Sequence, residues 1–317
     1  MVTRVASFAQ SRILLAQLMR AQVQATQSEI QSSSGRKAED YQGYGADASR
    51  LIAAKSYLQM TQQGIDTATQ VKTTVDAQQL NLDRMRGLLQ KATKAVQDGL
   101  AGRTSTGILA TLDATLSGIV SVLNTTQNGR YLFGGTRATA APVVGGAATP
   151  GGLMALASVD AAFDQGGRAL TANIAGGGNV TYGQTARDVG KATLDVLRNI
   201  YQYNAVRYTG PGGPGTALTD ALSQAQMDFL AGQLGQLVQA DTALLDHSVK
   251  AGVVQNQLAD MISRLGAQKT VANKMVSDIQ DIDIAAAATK LSDDRSAVEV
   301  ATKVLASVKK SNLLDYI

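Results

Sequence analysis

Leu230, Leu237, Leu244, Ala251, Leu258, Leu265, Ala272 and Ile279 stand seven residues apart without a break. An apolar residue at every seventh position, sustained this long, is the mark of one long helix with a single buried seam. A helix of about fifty residues is about 75 Å long. A compact ball of 317 residues would have a radius of gyration of roughly 20 Å. Such a helix does not fit inside it, so the spacing predicts an elongated rod.

The N-terminal half repeats the pattern. Leu51, Leu58 and Ile65 are seven apart, as are Val75, Leu82, Leu89 and Val96, with Ala54 and Ala68 on the second track. One helix is predicted from about 48 to 98, with Gly99 and Gly102 as its stop. Leu109, Leu112, Leu116, Ile119 and Leu123 then step by three and four. They predict a second helix from about Thr106 to Asn128-Gly129, a pair that tolerates positive φ at a helix end.

Towards the termini the stripes thin. Leu15, Met19, Val23 and Ile30 make a loose one, and Ile284, Leu291, Val298 and Leu305 start a new frame after an acidic interruption. In that last frame Arg295, Thr302 and Lys309 take the alternate seam positions. Helices with so little apolar surface are marginal alone. Residues 1 to about 40 and 285 to 317 are therefore expected to be disordered in the monomer and to fold on assembly. Five Lys/Arg against three acids in the first forty residues, and seven acids against five Lys/Arg in the last forty, suit terminal helices that meet.

All four prolines lie between Pro142 and Pro214. From Ala138 to Gly215 the chain is rich in Gly, Ala and Thr, with strand-like pieces ALASV, ALTANI and NVTY and a helical stretch from Thr185 to Tyr203. GPGGPG then returns the chain to the C-terminal helices. The fold class expected is mainly α, an elongated rod of long antiparallel coiled-coil helices from both termini with a small inserted β-rich or mixed domain. The expected division is a terminal helix and turn (1–45), a helical arm (46–137), an inserted outer domain (138–215), a second arm (216–280) and a terminal helix (281–317).

Enzyme chemistry finds no foothold. The chain has no Cys and one His, which excludes disulfides, thiolate metal sites and histidine-rich metal centres. His247 neighbours Asp246 and Ser248, but three consecutive residues on one helix cannot converge as a triad, so a surface helix position is expected. The pairs Asp281/Asp283 and Asp293/Asp294 lack the interleaved ligands of a calcium loop, and a helix-capping role for Asp281 or Asp283 is expected instead. GGAATPGG and AGGGN carry no Lys-Ser/Thr that would complete a phosphate loop. No catalytic residue, cofactor or metal is expected. A net charge of +4 without a dense basic run argues against a nucleic-acid partner. The N-terminus lacks the apolar run of a Sec-type signal peptide, and no stretch is long enough to insert in a membrane.

Residues 128–138 read NGRYLFGGTRA, in a chain with nine Tyr, four Phe and no Trp. After the Asn128-Gly129 stop, Tyr131 and Phe133 are expected to alternate onto one side of a strand and anchor it to the helices. Gly134 and Gly135 then let the backbone swing away. A helix–strand corner and a subunit-interface element both fit this pattern.

The motifs resemble those of the flagellin superfamily. SSSGRK, Ser32 to Lys37, is similar to the turn between that family's first two helices. SDIQDIDIA is similar to its Ser-x-Ile-x-Asp-x-Asp-x-Ala stretch at Ser277, Ile279, Asp281, Asp283 and Ala285. YLFGGTRATAAPV and the ending SNLLDYI, with Leu313, Leu314 and Tyr316, resemble the superfamily's hook–filament junction branch. YQGYGA, from Tyr41 to Ala46, departs from the family's acidic-then-alanine turn. The resemblance covers about 1–137 and 216–317. It implies a secreted structural subunit of the extracellular bacterial flagellum, exported by the type III route and joining hook to filament while templating flagellin. Flagellin itself is the alternative it leaves open, and a secreted coiled-coil adaptor is a further one. Implied partners are copies of itself in a helical ring or filament, flagellin, the hook-side junction protein and a flagellar export chaperone.

Overall fold

A computed structural model describes residues 2–164, 167–211 and 213–314. The chain is mainly α. Four helices dominate it: α1 (Val2–Ser34), α2 (Ala48–Gly102), α6 (Gln224–Gln280) and α7 (Ile284–Leu314). Between α2 and α6 lie α3 (Ile108–Leu123), the short strands β1 (Thr126–Gln127) and β2 (Arg130–Tyr131), α4 (Pro150–Ala155), β3 (Leu170–Ile174), β4 (Gly178–Tyr182) and α5 (Ala186–Asn204). Each strand pair is an antiparallel hairpin. The chain divides into two compact units, residues 1–59 with 267–317, and residues 60–266.

In the 60–266 unit the heptad positions are the core. Val75, Leu82, Leu89 and Val96 of α2 are buried, as are Leu230, Leu237, Leu244, Ala251, Leu258 and Leu265 of α6. Val71, Met85 and Ala92 supply the second buried track of α2. This track lies one residue ahead of the Leu51–Leu58–Ile65 frame, whose next step is Lys72, so a strict seven-residue repeat does not reach it. Leu112, Leu116 and Ile119 of α3 and Leu194, Leu197 and Ile200 of α5 pack into the same cluster. At its aromatic end Tyr203 stacks on Phe229 with ring centroids 3.8 Å apart.

Three local expectations are corrected. Gly99 is no stop: α2 runs on to Gly102, and a Cβ on Gly99 would lie 2.4 Å from Ile108 Cδ1. Gly99 thus lets α3 pack close. Helix α3 ends at Leu123, and Asn128 (φ 52) and Gly129 (φ 75) form the two-residue turn between β1 and β2. Two successive positive φ angles are what such a hairpin turn requires, and Asn-Gly supplies them. ALASV is not a strand. Thr149 caps α4, with Pro150 in its first turn, so residues up to Ala155 are helical and a 3-10 turn follows at Val159–Ala162.

The segment after residue 138 shares the core of the arms. Val143, Phe163 and Val180 belong to the same cluster as α2 and α6. Helix α5 begins at a capping box, in which Thr185 and Asp188 satisfy each other's backbone N–H groups. The tip of the β3–β4 hairpin lies close against α2 and α6. A Cβ on Gly64 would stand 2.2 Å from the Ala175 carbonyl oxygen, and one on Gly177 would stand 2.5 Å from the Met261 sulfur.

In the other unit α1 and α7 pack antiparallel along their length. Leu14, Leu18, Ala21, Ala25 and Ser28 of α1 face inward, and Ala287, Leu291, Asp294, Val298, Ala301, Leu305 and Val308 do so on α7. Of the two terminal segments expected to be disordered until assembly, Val2–Ser34 and Ile284–Leu314 are helical and pack on each other within the chain. The alternate track of α7 runs through Ala287, Asp294, Ala301 and Val308, not through Arg295 and Thr302, which are exposed. The remaining expected member, Lys309, lies where side chains are not described.

Candidate assembly surfaces

The two end motifs meet main chain to main chain, although Lys37 and Asp278 are 241 residues apart in sequence. Gly35 takes a left-handed φ of 69° and turns the chain out of α1. The Lys37 N–H then donates to the Gln280 carbonyl at 2.8 Å, and the Ile282 N–H donates to the Gly35 carbonyl at 3.1 Å. Lys37 Nζ adds a bond to the Asp278 carbonyl at 2.9 Å. Arg36 and Asp281 form an isolated antiparallel bridge. The Ser277 hydroxyl donates to the Asp281 carboxylate at 2.6 Å. Asp283 caps α7, accepting from the N–H groups of Ala285 (2.9 Å) and Ala286 (3.3 Å). The serine and the two aspartates therefore build the break between α6 and α7.

Ile279 is half-buried, whereas Ile284 is 65% exposed. Ile284 opens α7 at a point where the opposing chain has already left α1, which ends at Ser34. Leu291, Val298 and Leu305 do face α1, half-buried. Leu313 and Leu314 lie in the last turn of α7, and Tyr316 is outside the described residues.

The α1–α7 seam mixes leucines and valines with small side chains, and one polar contact sets its register. Ser28, only 2% exposed, donates to Asp294 at 2.5 Å. Beside it Arg295 pairs with Glu29 at 3.2 Å on the surface. A buried polar pair in a helical seam disfavours slipped registers, which would leave the carboxylate unpartnered. The Leu15–Met19–Val23 stripe is not this seam. Those residues and Ile13 are exposed, and Met19, Val23 and half-buried Ile30 line a shallow groove of about 570 Å³ on the outer side of α1.

The aromatic turn lies in the 60–266 unit. Tyr131 ends β2 half-buried, but Phe133 is fully buried and sits in the turn beyond it. The two therefore do not share one face of a strand. Gln78 of α2, itself buried, donates to the Leu132 carbonyl at 2.6 Å, and the Ala186 N–H donates to the Phe133 carbonyl at 2.9 Å. Tyr131 N–H donates to Ala138 at 2.8 Å, closing the loop around two glycines. Gly135 has φ 54°, and a Cβ there would meet the Arg168 carbonyl oxygen at 2.1 Å. Gly134 would bring a Cβ within 2.8 Å of Ala138 Cα. Both glycines are sterically required, and the knot ties α2 to the start of α5.

His247 is half-buried, not a surface residue. Gln184 donates to its carbonyl at 2.7 Å, and its Nδ1 is buried without a partner. Burial, then the charge of Lys250, pushes the imidazole below its ordinary pKa. Among the described residues no group of three or more His, Cys, Asp or Glu could hold a metal ion, and no helix is long and apolar enough to cross a membrane.

Residues 234–317 match the bacterial flagellin C-terminal helical region. The matched segment includes most of α6, the Ser277–Asp283 break and α7. No curated protein sequence matches the chain significantly. Among solved structures, one described as a flagellar hook-associated protein from Vibrio parahaemolyticus has a TM-score of 0.56 at 18% identity, covering 74% of this chain and 97% of that one. Bacillus cereus FlgL has a TM-score of 0.54 at 16% identity, covering 71% of this chain and 99% of its own. Identities this low speak to fold. Within the paired-terminus unit the matched segment meets the turn after α1 through the bonds of Gly35 and Lys37 to Ile282, Gln280 and Asp278.

Proposed function

We propose that the chain is a non-enzymatic structural subunit of the bacterial flagellum, placed at the junction of hook and filament in the role of hook-associated protein 3. The observation that carries this reading is the paired-terminus unit. A flagellin C-terminal arm is held to the N-terminal arm by main-chain bonds, and an apolar stripe on α1 remains uncovered. The similarity in fold to a flagellar hook-associated protein and to FlgL supports the junction reading over a free-standing adaptor.

In this role the stripe of Ile13, Leu15, Met19 and Val23 docks against a second copy, giving a helical ring of copies. One end of the ring then meets the hook-side junction protein and the other templates flagellin. Export unfolded through the type III channel, with a dedicated chaperone, and an extracellular location belong to the same proposal. Flagellin itself is the second reading, favoured by the family of the C-terminal arm.

A seeding assay separates them. Purified monomer is added to short flagellar fragments and growth is followed by electron microscopy. A cap that stops growing, yet lets added flagellin extend, is the junction outcome. Long filaments of this chain alone would make it a flagellin. Failure to bind fragments in either way would overturn the flagellar reading.

A further inference from the structure

A cleft of about 340 Å³ opens in the 60–266 unit, walled by one face of α2 and by both hairpins. Its volume lies in the range of small-molecule sites, about 300–1,000 Å³. Val71, Leu132 and Ala172 give it an apolar floor, and the rings of Tyr131 and Tyr182 stand in its walls. Around them are the amides of Gln70 and Gln127 and the guanidinium of Arg130.

Among the described residues, no hydrogen bond or ion pair holds the side chains of Gln70, Gln127, Arg130, Tyr131 or Tyr182. The hydroxyls of Thr67, Thr73 and Thr74 instead donate to carbonyls of their own helix, which leaves them as acceptors. Five residues with uncommitted polar ends thus line one cleft beside Val71, Leu132 and Ala172. The lining carries one positive charge and no carboxylate.

We propose that this cleft binds an acidic saccharide of two or three sugar units. A pyranose has apolar C–H faces that pack on tyrosine rings, and equatorial hydroxyls that need amide donors and acceptors. A uronate or sialate carboxylate would pair with Arg130, whose planar fork suits it. A metal ion is disfavoured, because the lining has no anionic ligand. A purely apolar ligand would strand the amides and the guanidinium. The cleft is also pre-formed. The Asn128-Gly129 turn fixes the β1–β2 hairpin, and Gln78 holds the loop after it by the Leu132 carbonyl, so binding has side chains to order but no backbone.

The test uses the full-length monomer with trigalacturonic acid as the acidic probe and maltotriose as the neutral one. Saturation-transfer NMR and calorimetry read the binding. Trigalacturonic acid is expected to bind in preference to maltotriose, with transfer strongest to its ring C–H protons. Arg130→Gln is expected to weaken the acidic probe about tenfold or more and to leave maltotriose unchanged, consistent with loss of one charged hydrogen bond. Tyr182→Ala should weaken both. Should that variant fail to fold, exposed Gln70→Ala supplies the second reading, with weaker binding and an unchanged melting temperature. No binding of either probe, or binding unaffected by Arg130→Gln and Gln70→Ala, overturns the proposal. So does movement of the Tyr131 and Tyr182 resonances with protein concentration alone, which would assign the cleft to a second copy. None of these outcomes bears on the seeding assay.

Discussion

The two units use the same heptad arithmetic to opposite ends. In the 60–266 unit the seam is built from fully buried leucines, with α3 and α5 laid over it and an aromatic stack closing one end. In the paired-terminus unit, α1 and α7 meet through half-buried leucines and valines mixed with Ala, Ser and a carboxylate, and Ile13, Leu15, Met19 and Val23 of α1 stay exposed. One unit completes its core within the chain. The other leaves apolar surface uncovered, the condition under which helices gain order from a further partner. Amide hydrogen exchange should therefore be faster in α1 and α7 than in the α2 and α6 residues of the 60–266 unit. Equal protection of both in a dilute monomer would erase the distinction.

The largest expected effect lies at Phe133, whose side chain is fully buried. Phe133→Ala should cost about 3–5 kcal/mol in chemical denaturation. A loss below about 1 kcal/mol would mean that the aromatic turn is not part of the core. Next comes Gly135→Ala. The new Cβ would face the Arg168 carbonyl at 2.1 Å with φ already at 54°. A loss of about 2–3 kcal/mol is expected, together with faster exchange at the Ala186 amide, which reports the Phe133 carbonyl.

Ser28→Ala tests the other unit. It leaves Asp294 without its 2.5 Å partner, and a cost of about 1–2 kcal/mol is expected. Faster exchange should be confined to α1 and α7. Spread of the effect to α3 and α5 would show that the two units do not differ as described.

A smaller effect is expected from pH. The His247 imidazole has its pKa lowered in the fold by burial and by Lys250, against the opposing pull of Asp188 on α5 and Asp246 on its own helix. The folded state therefore binds fewer protons than the unfolded one around pH 6.5. Stability on this account is full above the unfolded pKa and declines as pH falls through it. Melting temperature should drop between pH 7 and pH 5, and His247→Gln should flatten that part of the profile. An unchanged slope in the variant would assign the pH dependence elsewhere.

How much of this was legible in the sequence follows from where periodicity alone decides. The α6 seam was readable because every seventh residue is buried by one straight partner. The Asp281/Asp283 break was readable because an aspartate ahead of an alanine run has few other uses. Asn128-Gly129 was read as a helix stop because positive φ serves both a helix end and a hairpin turn, and only the paired strands distinguish them. The α1 stripe was misplaced for a more general reason. A sequence shows which residues are apolar, not which apolar residues have found cover. Ala21, Ala25 and Ser28 make a poor stripe on paper and the actual seam in space, while Met19 and Val23 make a good stripe and remain exposed. The cleft of the 60–266 unit was invisible because its walls come from three distant segments.

The smallest effect on stability is the one that most sharpens the comparison. Met19 and Val23 are 59% and 67% exposed, so Met19→Lys and Val23→Lys should change monomer stability by no more than about 0.5 kcal/mol. Long charged side chains are also favourable on an exposed helix face. If the stripe is an assembly surface, these variants should nevertheless lose the ability to cap flagellar fragments, because a docked lysine would be buried without a partner. Stability and assembly would then separate cleanly: Phe133→Ala lowers the first, and Met19→Lys abolishes the second while sparing the first. Wild-type capping by Met19→Lys and Val23→Lys would show that the outer face of α1 is exposed to no purpose in assembly. The ring contacts would then have to come from another surface of the chain.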